Sequence, residues 1–255
     1  MPAAYDNFDY PAFWEKREYE HRSEIVAIEA FLGRIKSIDI IADIGCGYGR
    51  LTPYYSHRAR KVFLFDPCNK MLSLARKRLG LKKGSRNKTE VIKSKIETLP
   101  MKFKRKYFDV VIMVRVLHHI KNPEKALEAI SKSIKKGGYL IAEFPNKLNY
   151  KTLTKNVIRG NLTYPFEIDA SDIRCKKNKN KKTIPFLNYH PDKMLELLRN
   201  NNFEIIEIRS VSNVRNGFAK QNFPTEFLIS IEKKLQRPLA RVFFGPSIFI
   251  LARKV

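Results

Sequence analysis

The first segment of this sequence whose residue types and spacing indicate chemistry is a glycine-rich stretch headed by an acid. Residues 43–49 read Asp-Ile-Gly-Cys-Gly-Tyr-Gly, so three glycines alternate with other residues after Asp43. Glycines allow a tight turn and a close approach of the backbone to a ligand, and the N-terminus of a following helix adds a partial positive charge. The segment therefore predicts a ligand-binding turn, and an ordinary strand–helix turn is the alternative.

The spacing within this glycine turn separates two kinds of ligand. Dinucleotide-binding turns follow Gly-x-Gly-x-x-Gly, but here Arg50 occupies the position of their third glycine, where its side chain would obstruct close packing of helix on strand. Asp43 would repel a pyrophosphate, whereas its carboxylate suits a cationic ligand that carries an amino group. S-adenosylmethionine has an α-amino group, a sulfonium and no phosphate, so the turn favours this cofactor.

A second acid, Asp66, follows the next predicted strand. It comes directly after residues 61–65 and lies about 20 residues past the glycine turn, which places it at the tip of a neighbouring strand. An acid in that place can accept hydrogen bonds from both hydroxyls of a ribose, in NAD and in S-adenosylmethionine alike. The glycine turn must therefore distinguish the two cofactors, and an N-cap of the next helix is the alternative role for Asp66.

Two further groups of side chains could take part in methyl transfer from such a cofactor. The transfer needs mainly alignment and exclusion of water, and it needs a base only when the acceptor must lose a proton. His118 and His119 follow the fourth predicted strand and could be that base, or they could only brace the loop through hydrogen bonds. In the N-terminal helix, Arg17, Tyr19 and Arg22 could close over the cofactor carboxylate, or they could form a solvated helix face.

The elements that must position these residues alternate between strand and helix in the first 145 residues. Short β-branched stretches predict strands, and apolar residues at helical spacing, with Gly33 and Gly80 as stops, predict helices. This alternation predicts a parallel sheet with helices on both faces. The strands are expected at 38–44, 61–65, 89–93, 108–114 and 139–144, and the helices at 12–34, 70–79 and 123–134.

The rest of the chain is less regular, and we expect it to complete a single domain over residues 1–255. Residues 174–182 are basic and of low complexity, so they predict a mobile loop inside an insertion. After the insertion we predict helices at 191–200 and 225–236 and strands at 203–211 and 247–253. The expected parts are an N-terminal helical cap (1–34), a cofactor-binding core (35–146), an insertion or lid (147–190) and a C-terminal part that completes the sheet (191–255).

Composition limits the partners and the compartment. Hydrophobic residues make up 44% of the 255 residues, which is enough for a full core, and no stretch reaches the ~20 apolar residues of a membrane span. The start lacks the features of a secretory signal, and three scattered cysteines predict neither disulfides nor a metal site, so we expect a cytoplasmic protein. The net charge of +25 indicates a polyanionic partner, nucleic acid or an anionic membrane, unless it only reflects a Lys- and Asn-rich composition.

Four segments, in the correct order, resemble the class I S-adenosylmethionine-dependent methyltransferases, in particular the type 11 group that includes ubiquinone-biosynthesis-like enzymes. The resemblance covers roughly residues 38–145. Residues 41–49 resemble the first motif of the family and 96–100 its adenine-side loop. Residues 108–120 resemble its fourth-strand motif, and 134–140 resemble the turn into its fifth strand.

The resemblance implies a Rossmann-like fold, a seven-stranded, mostly parallel sheet with helices on both faces and the last strand antiparallel. It also implies roles: residues 43–49 would hold the methionine half of the cofactor, Asp66 the ribose, the backbone of Ile96 the adenine edge, and Val114 would line the methionine end. The implied cofactor-binding residues are Asp43, Gly45, Cys46, Gly47, Gly49, Asp66, Pro67, Ile96, Glu97 and Val114.

Two positions depart from the family pattern. Lys95 stands where the family often has an aspartate that accepts a hydrogen bond from the adenine amino group, and a lysine cannot accept. Adenine recognition would then fall to Glu97 or to backbone. Lys136 stands where the family usually has proline before the fifth strand, which affects only the stiffness of that turn.

Three interpretations of the acceptor are open. A small-molecule or lipid-like acceptor is favoured by an apolar stripe in the helix at 225–236, although such a stripe also suits core packing. Lys233 and Lys234 beside the stripe suit an anionic headgroup surface. RNA is favoured by the net charge, but the basic run at 174–182 has no interleaved aromatic residues for stacking. A non-catalytic scaffold that binds S-adenosylmethionine would keep the same glycine turn.

Overall fold

Seven strands form one central sheet in the order β3-β2-β1-β4-β5-β9-β8, and two further strands pair outside it. The computed structural model describes residues 9–82, 88–99, 103, 107–180 and 184–255. The start of the chain, on which the predicted absence of a secretory signal depends, lies outside these residues. The strands are β1 (Ile40–Ile44), β2 (Lys61–Asp66), β3 (Thr89–Lys93), β4 (Phe108–Met113), β5 (Ile134–Pro145), β6 (Ser171–Asp172), β7 (Leu187–Asn188), β8 (Phe203–Val211) and β9 (Ser247–Lys254).

The pairing of the strands confirms the Rossmann-like fold. Strand β1 is buried throughout and pairs in parallel with β2 on one side and β4 on the other, with Ile41 beside Val62 and Val110. The last strand, β9, runs antiparallel to both of its neighbours, β5 and β8. Because β1, β2, β3 and β4 are parallel, the residues that follow them, where the candidate site residues lie, meet at one edge of the sheet.

Helices cover both faces of the sheet and form two separate cores. Ala42 packs in one core with apolar residues of α4 and α7, whereas its neighbour Ile41 packs in the other with residues of α2. This alternation is what a strand buried on both faces requires. The helices are α1 (Tyr10–Glu15), α2 (Glu18–Leu32), α3 (Asn69–Arg78), α4 (Pro123–Ser133), α5 (Tyr150–Ile158), α6 (Lys176–Asn180), α7 (Pro191–Asn200), α8 (Gly217–Asn222) and α9 (Thr225–Ala240).

Several bounds differ from the sequence predictions. The helix expected at 12–34 is two helices, because the chain leaves the helical conformation at Arg17. Helix α9 continues four residues beyond the predicted end at residue 236 to Ala240, and α8 was not predicted. The loop expected at 174–182 contains the short helix α6, while residues 181–183 lie outside the described residues.

The insertion after β5, residues 147–190, leaves the sheet and returns to it at the same place. The backbone N–H of Tyr189 donates to Pro145 O (2.9 Å), and that of Lys147 donates to Tyr189 O (2.9 Å). Both ends of the insertion are therefore anchored beside the end of β5. In the described part of the chain, no helix is long and apolar enough to cross a membrane.

Candidate cofactor site and active site

The glycine turn is the centre of the candidate site. Gly45, Gly47 and Gly49 have φ angles of +71°, +55° and +73°, which other residues rarely adopt. The N–H groups of Gly45 and Cys46 both donate to Phe65 O, at 2.7 and 3.0 Å, and so attach the turn to the end of β2. A Cβ on Gly45 would lie 2.3 Å from Cγ2 of Val116, so this position also lacks space for a side chain. The turn therefore presents backbone to its surroundings.

Asp43, at the end of β1, is a buried acid beside the turn. It accepts a hydrogen bond from the hydroxyl of Tyr55, which in turn lies 3.1 Å from the hydroxyl of Thr52. Burial raises the pKa of Asp43 to about 7, although the bond from Tyr55 acts in the opposite direction. A cation close to this carboxylate would favour its ionised form, so the position suits a positively charged ligand group.

Asp66 joins the end of β2 to the glycine turn. Its Oδ2 accepts from the N–H of Gly47 (3.0 Å), and its Oδ1 accepts from the N–H of Cys68 (2.8 Å), directly before α3. Burial raises the pKa of Asp66, and the two backbone bonds partly offset this. The N-cap of α3 is Cys68, so Asp66 positions the backbone just before the helix and is not its N-cap, while it also lies against the glycine turn, as a ribose-binding role requires.

A pocket opens between the glycine turn and the end of β4. Its empty volume is about 360 Å³, part of it open to solvent. Five residues predicted to bind the cofactor line it: Asp43, Gly45, Cys46, Gly47 and Val114. Tyr48, within the predicted segment 43–49, also lines it, and four further lining residues were not predicted: Tyr10, Arg50, Leu51 and Arg115.

The other predicted cofactor residues lie outside the lining of this pocket. Gly49 lies against α3, because a Cβ there would be 3.2 Å from Leu79. Ile96 is buried at the start of a 3₁₀ turn, and Pro67 and Glu97 are exposed. The N–H of Ser94 donates to Asp66 O (3.3 Å), so the segment with Ile96 and Glu97 follows directly beside Asp66. Their role toward adenine stays a prediction.

A buried charge cluster forms one wall of the pocket. Glu24 of α2 is fully buried and binds two guanidinium groups, that of Arg50 through Oε2 and that of Arg115 through Oε1 (2.6 Å to Nη2). Burial alone would raise the pKa of Glu24, but the two guanidinium groups reverse this and hold it below its usual range. Arg115 has φ +61°, and its N–H donates to Glu143 Oε2 (2.8 Å). The cluster therefore holds two cations at fixed positions beside the glycine turn.

Aromatic residues of α1 cover the turn. A Cβ on Gly47 would lie 3.7 Å from the Tyr10 ring, and the Arg50 guanidinium lies 3.5 Å from the centre of the Trp14 ring. The side chains predicted to close over the cofactor carboxylate have other partners. Tyr19 donates to Glu232 (2.6 Å), Arg22 pairs with Glu226, Arg17 lies over Phe13, and none of the three lines the pocket. The structure does not bring these three side chains to the pocket, because Tyr19 and Arg22 contact α9 and Arg17 contacts Phe13 of α1.

The two histidines lie under the insertion. His118 is buried, its ring centre is 3.9 Å from that of His119 and 4.5 Å from that of Phe186. Its Nδ1 has no hydrogen-bond partner among the described residues. His119 Nδ1 lies 2.9 Å from Pro185 O, which orients the ring. Burial lowers the pKa of both imidazoles, most strongly that of His118, which favours the neutral form of both rings.

Comparison with known proteins adds an independent line of evidence. A family model described as a methyltransferase domain matches residues 42–142. Over 120 residues the chain is 28% identical to the ubiquinone biosynthesis O-methyltransferase of Nitrosomonas europaea, an alignment that covers 47% of this chain and 49% of that protein. The chain thus spans about half the length of the curated relatives it matches.

Solved structures share the fold over almost the whole chain. An S-adenosylmethionine-dependent methyltransferase from Thermotoga maritima superimposes with a TM-score of 0.63 at 18% identity, covering 99% of both chains. A methyltransferase from Haloferax volcanii, solved in complex with the Trm112 methyltransferase activator, gives a TM-score of 0.60 at 18% identity, covering 98% of this chain and 97% of that one. These likenesses establish the fold alone. Residues 42–142, which include the acid-headed glycine turn, therefore match a methyltransferase domain in sequence, and the fold around them is that of S-adenosylmethionine-dependent methyltransferases.

Proposed function

We propose that this protein transfers a methyl group from S-adenosylmethionine to a small-molecule or lipid-like acceptor, at oxygen, nitrogen or carbon. One observation carries the proposal: a single pocket is lined by Gly45 and Gly47, two of the three positive-φ glycines of the turn, by the buried Asp43, and by Arg50 and Arg115. An amino-acid moiety has one cationic and one anionic end, and this lining offers an acid and two cations within the same small space. The residues present therefore fit the methionine half of the cofactor.

Each side chain around the pocket has a defined task in this proposal. The Asp43 carboxylate pairs with the amino group, the Arg50 and Arg115 guanidinium groups face the carboxylate, and Asp66 accepts from the ribose hydroxyls. Pro67, Ile96 and Glu97 border the nucleoside beyond Asp66. Bound there, S-adenosylmethionine would supply an activated methyl group, so the protein needs mainly to align it and to exclude water.

The acceptor class is inferred from the segment that covers the edge of the sheet beyond β4, where the two histidines lie. The insertion returns through Pro185 and Phe186 over the two histidines, so the edge beyond β4 is covered by protein. A covered site suits a small or lipid-like acceptor better than a bulky folded RNA. The Nitrosomonas europaea relative named above is a ubiquinone biosynthesis O-methyltransferase, which also supports a small apolar acceptor.

We propose that His119 acts as the base when the acceptor must lose a proton. Burial favours the neutral form of its ring, which is oriented by the Pro185 carbonyl. His119→Ala should then lower turnover roughly 100-fold while cofactor affinity stays unchanged. His57→Ala, a change at an exposed histidine, is the matched control. Unchanged turnover in His119→Ala would remove the base from the mechanism.

The net charge of +25 supports a polyanionic partner, an anionic membrane or RNA, beside the acceptor itself. The low number of cysteines, three in 255 residues and scattered along the chain, supports a reducing compartment such as the cytoplasm. RNA methylation and a non-catalytic scaffold are the alternative functions, and one experiment separates all three.

The test is a labelled-methyl assay with extracted lipids and quinones, small metabolites and total RNA in parallel, after calorimetry with S-adenosylmethionine. We expect binding, and label in the lipid or metabolite fraction. Asp66→Ala lacks the carboxylate that would accept hydrogen bonds from the ribose, so this variant should lose both cofactor binding and methyl transfer. Label in the RNA alone would favour the RNA alternative, and binding without label in any fraction would favour the scaffold. Absence of cofactor binding would contradict the proposal as a whole.

A further inference from the structure

The first part of the insertion carries an unusual concentration of exposed apolar side chains. Val157, Ile158, Leu162, Phe166 and Ile168, which we call the insertion tip, are 54%, 80%, 66%, 81% and 51% exposed. They lie within 12 consecutive residues, at the end of α5 and in the turn that follows it. Scattered apolar residues at a surface need no explanation, but a cluster of this density marks a contact site.

The insertion tip is held in place by the body of the protein. Lys147 is buried to 1% exposure and donates through Nζ to the carbonyls of Glu167 and Asp169. The buried His190 places its Nε2 3.0 Å from Pro165 O. Two buried side chains thus fix the backbone of the turn from inside, so its apolar side chains are kept outside by specific contacts and do not reflect a loose chain end.

Cations share the surface with these apolar residues. Lys155 and Arg159 are exposed and line one open groove along α5 together with Ile158. Residues 150–168, which include the whole insertion tip, contain three basic residues and one acid, Glu167, whose Oε2 lies 3.5 Å from Nζ of the buried Lys147. Apolar side chains next to cations on one helix face are the pattern of a helix that lies in the interface of an anionic bilayer.

Other occupants fit this surface less well. A second copy of the chain would bring another +25 charges against it. Single-stranded RNA stacks on aromatic rings, but four of the five residues of the insertion tip are aliphatic. An anionic bilayer satisfies both the apolar side chains and the cations.

We propose that the insertion tip enters the surface of an anionic lipid bilayer, with Lys155 and Arg159 on the headgroups, so that the protein meets a lipid-like acceptor at the membrane. This inference rests on the proposed function. The same insertion returns over His118 through Phe186, so it connects the insertion tip to the candidate active site.

Sedimentation with vesicles of phosphatidylcholine alone, or with 30% phosphatidylglycerol (about one charged lipid in three), tests the proposal. The full chain should bind the anionic vesicles and not the neutral ones. Ile158→Ser with Phe166→Ser should lower binding at least tenfold, as should Lys155→Gln with Arg159→Gln. Two matched controls should bind as the wild type does: Phe218→Ser with Val242→Ser, exposed apolar residues elsewhere, and Lys233→Gln with Lys234→Gln on α9.

Several results would overturn the inference: no vesicle binding by the wild type, equal loss in the control variants, or loss only in the α9 variant. Preferential binding of RNA over vesicles would overturn it as well. Unfolding temperature and calorimetry with S-adenosylmethionine are measured on every variant, and both should be unchanged because the insertion tip is exposed and lies away from the glycine turn. Vesicle binding without cofactor binding would retain the membrane surface and refute the proposed function, so the two failures are distinguishable.

Discussion

Gly45 combines two constraints that a single methyl group would violate. Its φ of +71° is costly for any residue with a Cβ, and that Cβ would meet Val116 at 2.3 Å. Backbone strain of this kind costs about 1–3 kcal/mol, so Gly45→Ala should weaken cofactor binding roughly 5- to 100-fold, as calorimetry would measure. Gly217→Ala is the control, because a Cβ added at Gly217 would meet no atom within 4 Å, and this variant should bind the cofactor normally. Equal affinity of the two variants would show that the turn tolerates a side chain and that its glycines are not required.

Asp43 makes cofactor affinity depend on pH. Its pKa of about 7 means that its carboxylate is largely protonated at pH 6 and ionised at pH 8. A cationic amino group binds the ionised form, so affinity for S-adenosylmethionine should rise with pH by up to about tenfold per unit below pH 7 and then level off. Calorimetry from pH 5.5 to 8.5 measures this, and Asp43→Asn should bind weakly with a flat profile. A flat wild-type profile would contradict the assigned role of Asp43.

The same ionisation has the opposite effect on the stability of the ligand-free protein. The folded pKa of Asp43 lies above the ordinary value of 3.8, so the unfolded chain releases its proton first as the pH rises. Between pH 3.8 and about 7 the wild type should therefore lose stability relative to Asp43→Asn, and above that range the difference should stay constant. The measurement is the difference in free energy of unfolding between the two proteins across this window. A difference that grows in favour of the wild type would contradict the raised pKa.

At the scale of elements, the part of the site that was missed depends on contacts between distant segments. The glycine turn and Asp66 were predicted because each follows its own strand, and parallel strands bring those ends to one edge. Val114 was predicted from the resemblance to the family. The pairing of Glu24 with Arg50 and Arg115 joins α2, the residue after the glycine turn and the end of β4, which no local pattern shows. One signal was present: Glu24 stands four residues before Ile28, on the apolar stripe of α2, where a charge needs a buried partner.

Glu24 should hold α2 to the glycine turn. Glu24→Gln leaves two guanidinium groups beside a neutral amide, and loss of one partner from a buried charge cluster typically costs about 3–5 kcal/mol. We expect a lower free energy of unfolding and weaker cofactor binding together, because the released Arg50 and Arg115 line the pocket. Glu29→Gln removes an exposed carboxylate from the same helix and should change neither quantity. Denaturant titration and calorimetry on both variants decide, and equal behaviour would show that the cluster is not required.

The sheet was predicted more completely than the helices around it. Strands β3 and β8 and helix α7 have the predicted bounds, since apolar runs and helical periodicity are local properties. The number of strands in the sheet and the antiparallel last strand came from the resemblance to a family, because strand pairing is a property of the whole chain and not of a local segment. Helix α8 was missed: its six residues, Gly-Phe-Ala-Lys-Gln-Asn, show no helical periodicity, and it begins at the Asn216 side chain, which accepts from the N–H of Phe218.

At the scale of the whole molecule, the N-terminal cap and the C-terminal part of the chain are joined through one buried acid. Glu232 of α9 is fully buried and accepts from the Tyr19 hydroxyl (2.6 Å) and from the N–H groups of Ser212 (2.8 Å) and Asn213 (3.1 Å). It thereby connects α2, the end of β8 and α9. Burial, with the nearby Glu232 carboxylate, raises the pKa of Tyr19, so this hydroxyl remains a donor at any physiological pH.

Glu232→Ala should therefore act on both stability and cofactor binding. It leaves two buried N–H groups without an acceptor, at about 1–3 kcal/mol each, so the unfolding temperature should fall by roughly 5–15 °C. Since α2 also carries Glu24 toward Arg50, a loosened α2 should weaken cofactor binding, and saturating S-adenosylmethionine should recover part of the lost stability. Glu226→Ala, which removes an exposed partner of Arg22 on the same helix, should cost less than about 1 kcal/mol. Equal unfolding temperatures of Glu232→Ala and Glu226→Ala would show that the cap and the sheet are not coupled through Glu232. Wild-type cofactor binding by Glu232→Ala would show the same.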